Sequence, residues 1–488
     1  MKSRNSTKSG LFRITAADRE KLQTLLFKRY PNREWGTFFR YGYRLTEWGI
    51  HVSFVDAMEP QPGDLKEDSG IVEFNAGYIL RAQLALAGSK LGMGIIHSHP
   101  EGCCTFASSL DDDMDNYFSG EFANYGDGRP YVSLRVAKTD EGVFSFSGEI
   151  WFNGERISIT EWLTVGEELG REVSEIGGRI KNKESCGLNE TSARLRELVG
   201  ERTARLPNVR VGIIGCSGTG SPAAHVLVRA GVRRFVLVEP KCFTASNLER
   251  MHGSTWRDVK TKPPKVEILK RLVLEINPEA EIKTIQGNVL DENVLDQLLL
   301  CDLVLCCTDS QHSRAALGDF ASHYLLPCLD VAVLMRAEDG KLTEQVGEIG
   351  RYTPDEPCPW CLGRIDQQVL AHELMTDAER EQRAQAATEA VKRGVDGAQY
   401  WGDKPPQELT VGYMTTAIGA IQAGYAEGWI LGASQMPHQR FQFDFGMPLL
   451  GVVPVEKPRK PECSCNWTKG QADQARAERS VTKPPHWP

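Results

Sequence analysis

The chain has no long unbroken apolar run. Its longest, Tyr413 to Leu431, is interrupted by Glu427, threonines and glycines, which suits a buried helix rather than a membrane span. An apolar leader is also missing: Met1 to Gly10 is polar and basic, so no secretory signal is expected. Basic residues form no polybasic run, and a formal net charge of −8 argues against a nucleic-acid partner. Neither an internal repeat nor a low-complexity segment stands out. Cysteine is not scarce, at 13, but most are scattered singly, several inside apolar stretches such as Leu303 to Cys307. That usage suits a reducing cytoplasm rather than a disulfide framework. What remains is soluble globular composition, 41% hydrophobic and 25% charged over 488 residues. Such a length suits about two to four domains.

Against that background two histidines carry the first chemical signal. His97 and His99, in His97-Ser98-His99-Pro100, close the apolar run Leu91 to Ile96. Residues two apart on an extended strand project the same way, so both imidazoles can reach one ion. Ser108-Ser109-Leu110-Asp111 comes next, with Ser108 in the style of a helix N-cap and Asp111 offering a carboxylate. Two histidines, an aspartate and an open position make the donor set of a catalytic zinc. The pattern resembles the JAB/MPN (JAMM) metalloprotease signature, His-x-His-Pro, a spacer, then Ser-x-x-Asp. The spacer Glu101 to Ala107 is slightly longer than the usual form, which leaves Asp112 as an alternative to Asp111. The resemblance implies a cytidine-deaminase-like α/β domain with zinc on His97, His99 and Asp111. It further implies Glu34, ahead of Gly36 and an apolar strand, as the group that shuttles the proton of water, and Ser108 as donor to the developing oxyanion.

A second signal begins at residue 209. Val209 to Ile214 reads as a buried strand, leading into the turn Gly215-Cys216-Ser217-Gly218-Thr219-Gly220-Ser221-Pro222. A helical run, Ala223 to Gly231, and a strand, Phe235 to Val238, lead to Glu239. Such a βαβ unit aims backbone amides and a helix dipole at phosphate, with Gly215, Gly218 and Gly220 allowing close approach and Glu239 placed for ribose hydroxyls. The turn alone would suit a dinucleotide. The residues downstream of it do not: Ser246-Asn247-Leu248-Glu249-Arg250, Lys265 ahead of Asn277-Pro278, then Cys306-Cys307-Thr308-Asp309. This ordered set resembles the ThiF/MoeB/E1 superfamily, Rossmann-like enzymes that adenylate the C-terminal carboxylate of a ubiquitin-like protein. The resemblance implies ATP and magnesium, with Arg250 and Lys265 on the phosphates, Asn247 beside them and Asp309 on the magnesium. An arginine often supplied across a dimer would be Arg194 or Arg196. Ser217 stands where the family usually has its second glycine.

Cys358-Pro359-Trp360-Cys361 pairs with Cys463-Ser464-Cys465 as a candidate closed tetrahedral zinc site. The superfamily resemblance implies a structural zinc here, normally on two Cys-x-x-Cys knuckles; the second couple is the shorter Cys-x-Cys. A cysteine often precedes the apolar glycine-rich helix in ThiF-like and MoeB-like proteins, but Asp403 to Glu408 contains none. Cys186, and more remotely Cys216, are then the candidates for any thioester.

Together these features divide the chain into a JAMM domain (1–156), a helical connector (157–190) and a ThiF/E1-like domain (191–488) ending in a loose tail from Pro458. Trp162, Val165, Leu169, Val173 and Ile176 supply the connector's helical spacing, with Asn182 to Glu190 as its flexible joint. Asp366 to Glu408 is charged and helix-forming, like the crossover loop over the substrate tail. The expected function is that of a bacterial-type fusion for handling ubiquitin-like proteins. One half hydrolyses the peptide or isopeptide bond after the terminal glycine, and the other adenylates the exposed carboxylate. Partners implied are the ubiquitin-like protein, a separate E2-like protein and a second copy of the chain. Activation of a sulfur carrier for thiocarboxylate chemistry is the alternative, and a non-catalytic scaffold the second alternative.

Overall fold

Residue pairs such as Phe38-Phe39 and Ile95-Ile96 send successive side chains to opposite faces, so the central strands of the first sheet feed two cores. The computed structural model describes residues 8–29, 32–66, 70–138, 143–175, 193–395, 410–434, 436–446 and 451–478. Strands β1 (Ser9–Thr15), β2 (Gly36–Thr46), β3 (Gly49–Met58), β4 (Gly92–Ser98), β5 (Tyr131–Lys138), β6 (Phe144–Phe152), β7 (Glu155–Val165) and β8 (Leu169–Val173) form one sheet. Their order is β1-β3-β2-β4-β5-β6-β7-β8, and β1 also pairs with β7, which curls the sheet back on itself. Helix α1 (Ala16–Leu26) closes one core, packing Leu22 and Leu26 with Phe12, Phe39 and Trp162. Helices α2 (Ala76–Ala87) and α3 (Ser109–Tyr125) close the other, with Tyr78, Phe118 and Phe122 against Phe38 and Ile95.

The second unit is an α/β layer structure. Strands β9 (Arg210–Ile214), β10 (Arg234–Val238), β11 (Glu281–Ile285), β12 (Leu303–Cys306) and β13 (Cys328–Glu338) run parallel. Antiparallel β14 (Lys341–Tyr352), β15 (Arg440–Asp444) and β16 (Gly451–Val455) extend them, in the order β11-β10-β9-β12-β13-β14-β15-β16. Helix α4 (Ala193–Val199) leads in, and α5 (Gly220–Ala230), α6 (Trp256–Thr261), α7 (Lys265–Ile276), α8 (Glu292–Leu298) and α9 (Gln311–His323) connect the strands. Helices α10 (Gln367–Glu373) and α11 (Asp377–Lys392) fall in the described part of the charged segment, which ends at residue 395, and α11 buries none of its residues. The apolar run reappears as α12 (Gly412–Leu431), which packs Met414, Ile418, Ala423 and Trp429 into the core under the second sheet. No described helix is long and apolar enough to cross a membrane.

Two expectations fail. The helical connector is not seen over its first part, because Glu155–Val165 and Leu169–Val173 are strands of the first sheet. Ile157, Ile159 and Trp162 share one core, the register with β1 shifting by one residue between Ile159 and Glu161, and Leu163 and Val165 are buried as well. Apolar residues on both faces of a buried strand had the look of helical spacing. The first unit therefore extends through β8; the joint Asn182 to Glu190 and Ile176 lie outside the described residues.

Nor is the tail loose up to Glu478. Two short 3-10 turns, Ser464–Asn466 and Ala472–Glu478, carry it across the first sheet. Two of its charges are paired: Lys469 meets Asp18 at 2.6 Å and Asp355 at 2.7 Å, and Asp473 meets Arg44 at 3.2 Å. The amide N–H of Tyr43 donates to Oε1 of Gln474 at 2.8 Å, and that of Gly42 to the carbonyl of Gly470 at 3.1 Å. A side chain at position 42 would lie 2.2 Å from the Gln471 carbonyl carbon and 2.4 Å from the Gly470 oxygen. Gly42→Ala is therefore expected to undock the tail at a cost of about 1–3 kcal/mol. A lower urea midpoint together with faster proteolysis within 463–478 checks this.

Candidate functional site

Strand β4 is buried throughout and delivers His97 at its end, with His99 just beyond. Their Nε2 atoms lie 3.2 Å apart, and Asp111 approaches with Oδ1 3.0 Å from His97 and Oδ2 3.6 Å from His99. Nδ1 of His99 faces the carbonyl of Cys104 at 2.8 Å, which fixes the proton on Nδ1 and leaves the Nε2 lone pair for the centre. Ser108 is the N-cap of α3: its hydroxyl accepts from the Asp111 amide at 3.2 Å, and its own amide donates to Asp111 Oδ2 at 2.7 Å. A tetrahedral zinc with bonds of about 2.0–2.1 Å needs donor–donor edges of about 3.3 Å, close to the 3.2 Å between the two Nε2 atoms, with the Asp111 carboxylate offering one oxygen to each imidazole. Burial opposes ionisation of Asp111, but hydrogen bonds from His97 and His99 hold it well below the usual carboxylate range. Asp112 turns away to Arg156 at 2.8 Å, so of the two alternatives the structure brings Asp111 to the histidines.

Glu34 lies just before β2, where Gly36 pairs with His97 across the ladder. It is half-buried and accepts the Val72 amide at 3.2 Å; burial lowers His99, while Asp111 and the Cys104 carbonyl raise it, with the Glu34 charge adding the least. Beneath the cluster, fully buried Arg135 bridges Asp115 at 3.2 Å and Glu149 at 3.1 Å. Sequence reasoning missed this support, because its members come from α3, β5 and β6 with no shared local pattern.

In the second unit the turn after β9 has the expected tight geometry. Gly215 has φ of 90°, and a side chain on Gly220 would sit 1.9 Å from the Gly215 carbonyl oxygen. Glu239 accepts the amides of Cys216 at 3.2 Å and Lys241 at 3.1 Å. Lys265 opens α7; burial lowers its pKa, Glu239 raises it, and Lys241 and Arg250 lower it. Those four charges thus share one neighbourhood beside the glycine turn. Arg250 donates to the carbonyl and hydroxyl of Thr410, each at 3.0 Å, and Asn247 is buried in a cap with Thr244. Asp309 is exposed on the loop after β12, beside the Cys307–Thr308 peptide that touches Gly215. Lys241 was not anticipated, although its place two residues after Glu239 could have marked it. Arg194 and Arg196 fall on α4, and neither is among the main charges acting on Lys265.

Cys216 is fully buried and burial pushes its thiol well up, which removes it as a nucleophile. Cys186 and the segment Asp403 to Glu408 lie outside the described residues. The sulfurs of Cys358, Cys361, Cys463 and Cys465 gather within 4.8 Å of one another. Contacts of 3.4, 3.7 and 3.8 Å are too long for disulfides and close to the edge of about 3.8 Å that Zn–S bonds of about 2.3 Å require. The Lys460 amide donates to Cys361 Sγ at 3.3 Å.

A largely parallel sheet whose glycine turn lies beside Glu239, Lys241, Arg250 and Lys265 defines an α/β unit of Rossmann type. The chain belongs to the ThiF family, which it matches over residues 190–465. It is 28% identical over 171 residues to the molybdopterin-synthase adenylyltransferase of Salmonella typhimurium, covering 35% of this chain and 65% of the relative. It is likewise 28% identical over 166 residues to the SAMP-activating enzyme E1 of Haloferax volcanii, covering 34% of this chain and 57% of the relative. The chain therefore spans somewhat over half the length of these curated relatives. Among solved structures, the microcin C7 biosynthetic enzyme MccB with N-formylated MccA aligns over 57% of this chain and 75% of its own, at 16% identity and TM-score 0.45.

Both donor sets make a metal prediction. Elemental analysis of protein equilibrated with zinc and desalted should find one ion per set. Asp111→Asn should lose one ion with little change in thermal stability. Cys361→Ser should lose the other and unfold at lower temperature, because that set ties the tail to the second unit.

Proposed function

We propose that the second unit adenylates the C-terminal carboxylate of a small ubiquitin-like or sulfur-carrier protein. The observation that carries this reading is the convergence of Glu239, Lys241, Arg250 and Lys265 on the glycine turn of a ThiF-family sheet. In the reaction the carboxylate oxygen attacks the α-phosphorus of ATP, the bond to the bridging oxygen breaks, and pyrophosphate leaves. Lys265 and Arg250 offset the charge on the phosphates, amides of the turn orient them, Glu239 holds the ribose, and Asp309 binds the accompanying magnesium. Relatives favour a sulfur carrier as substrate: a 33% identical match over 110 residues, 22% of this chain and 43% of the relative, is the sulfur carrier protein ThiS adenylyltransferase of Escherichia coli. The SAMP-activating enzyme keeps a ubiquitin-like modifier as the second form of the same reading.

For the first unit we propose zinc-dependent hydrolysis of the bond after the carrier's terminal glycine. The supporting observation is the buried set His97, His99 and Asp111, with Glu34 alongside. When bound there, zinc supplies Lewis acidity that acidifies water and polarises a carbonyl. Glu34 takes the proton of water and returns it to the leaving nitrogen. The Ser108 hydroxyl, whose oxygen is engaged by the Asp111 amide, still has its proton to donate to the carbonyl oxygen as charge develops. Joining the two activities makes chemical sense, because hydrolysis exposes the carboxylate that adenylation consumes.

Labelled pyrophosphate should exchange into ATP when the chain, magnesium and a matching carrier are combined. Asp309→Ala should slow exchange by about 10²-fold or more while circular dichroism stays unchanged. Wild-type exchange in that variant would remove Asp309 from the site. Separately, Glu34→Gln should slow cleavage of a carrier bearing a C-terminal extension by about 10²–10⁴-fold while its zinc content is retained. Loss of the ion in Glu34→Gln would instead assign Glu34 to the metal.

A further inference from the structure

The loop between His99 and Ser108 is held from outside by a residue that neither signature contains. Glu175, two residues beyond β8, is fixed by its own amide, which donates to the Phe146 carbonyl at 3.2 Å. Its Oε2 accepts the amide N–H of Thr105 at 2.9 Å and the Thr105 hydroxyl at 2.7 Å. Thr105 is fully buried, and its carbonyl accepts from Arg135 Nε at 3.3 Å and from the Ser147 hydroxyl.

One peptide group links this carboxylate to the histidines. The N–H of Thr105 and the carbonyl of Cys104 belong to the same planar unit. On one side that unit donates to the Glu175 carboxylate; on the other it accepts the Nδ1 proton of His99 at 2.8 Å. Hydrogen bonds in series polarise one another, so an anionic acceptor on the N–H makes the carbonyl oxygen a better acceptor. A stronger acceptor at Nδ1–H raises the donor strength of Nε2, as a directly bound carboxylate does behind a metal-ligating histidine. Orientation is fixed as well, since a planar unit pinned at both ends cannot rotate away from the imidazole.

We propose that Glu175 is a positioning residue for the His97/His99/Asp111 site, acting on His99 through the Cys104–Thr105 peptide. This rests on the peptidase reading of that set.

The test measures zinc affinity in the full-length chain by competition with a chromophoric chelator, with the cysteine-bound ion as internal reference. Glu175→Ala should weaken the histidine-site ion about tenfold or more and leave the cysteine-site ion unchanged. Glu175→Gln keeps an acceptor for the Thr105 amide and should recover most of that loss. Thr105→Val removes the hydroxyl but keeps the amide, so it should weaken the ion by less than about threefold even if it lowers thermal stability. Unchanged affinity in Glu175→Ala would overturn the relay, as would Thr105→Val matching Glu175→Ala. Should the wild-type chain hold no zinc on the histidines while the cysteine ion is present, the peptidase reading itself fails.

Discussion

Two arginines that leave the first sheet and end inside the second unit fix how the halves sit. The Arg13 guanidinium is fully buried and donates to the carbonyls of Leu299 at 3.1 Å, Cys301 at 2.7 Å and Tyr324 at 3.4 Å. These groups lie just past α8 and α9, where helix C-termini leave carbonyls unpartnered and favour a cation. Burial pushes Arg13 down to about 10, with nearby Asp302 working the other way, so it stays charged at neutral pH. Arg171 on β8 grips Asp302 with two contacts of 2.9 Å, and Asp302 also accepts the Arg210 amide at 2.7 Å, where β9 begins. Such buried pairs add little net stability over apolar packing, but removing one partner costs about 3–5 kcal/mol. Their effect is registration: the halves dock in the arrangement that satisfies these groups together.

The parts of the chain that were legible are those whose chemistry imposes local spacing. His-x-His works because a strand repeats every two residues, the glycine turn because a helix N-terminus must approach phosphate, and Cys-x-x-Cys because one ion needs short loops. Asp111 could also be read, since the capping box with Ser108 turns its carboxylate back toward the strand end. Arg135, Thr105 and Glu175 could not, since each gains meaning only from partners 12 to 70 residues away. The misread connector and tail share that cause. Strand β8 is defined by pairing to β7, and the tail by ion pairs to Asp18 and Arg44 more than 400 positions earlier.

The tail shows how one segment can serve both units. After Cys463 and Cys465 join the knuckle of Cys358 and Cys361, the chain crosses to β2 and binds Gly42, Tyr43 and Arg44. Glu34 lies two residues before that same strand. The cysteine set therefore restrains, through about ten residues of tail, the far end of the element on which the peptidase reading depends. Disordering the cysteine set loosens both units, although its donors belong to the second alone.

The two candidate sites have opposite electrostatics, which bears on how they can share a substrate. One is a carboxylate with two imidazoles, a donor set for a cation; the other gathers Lys241, Arg250 and Lys265 beside the glycine turn. No residue is common to both, so a carrier tail cannot occupy both through the same contacts. On the proposed function, the tail leaves the first before its new carboxylate reaches the second. If both proposed activities hold, docking through Arg13 and Arg171 places their sites within one body, which raises the effective concentration of a released tail at the second. Coupling then needs no shared intermediate, only a carrier whose flexible tail outlasts its first encounter.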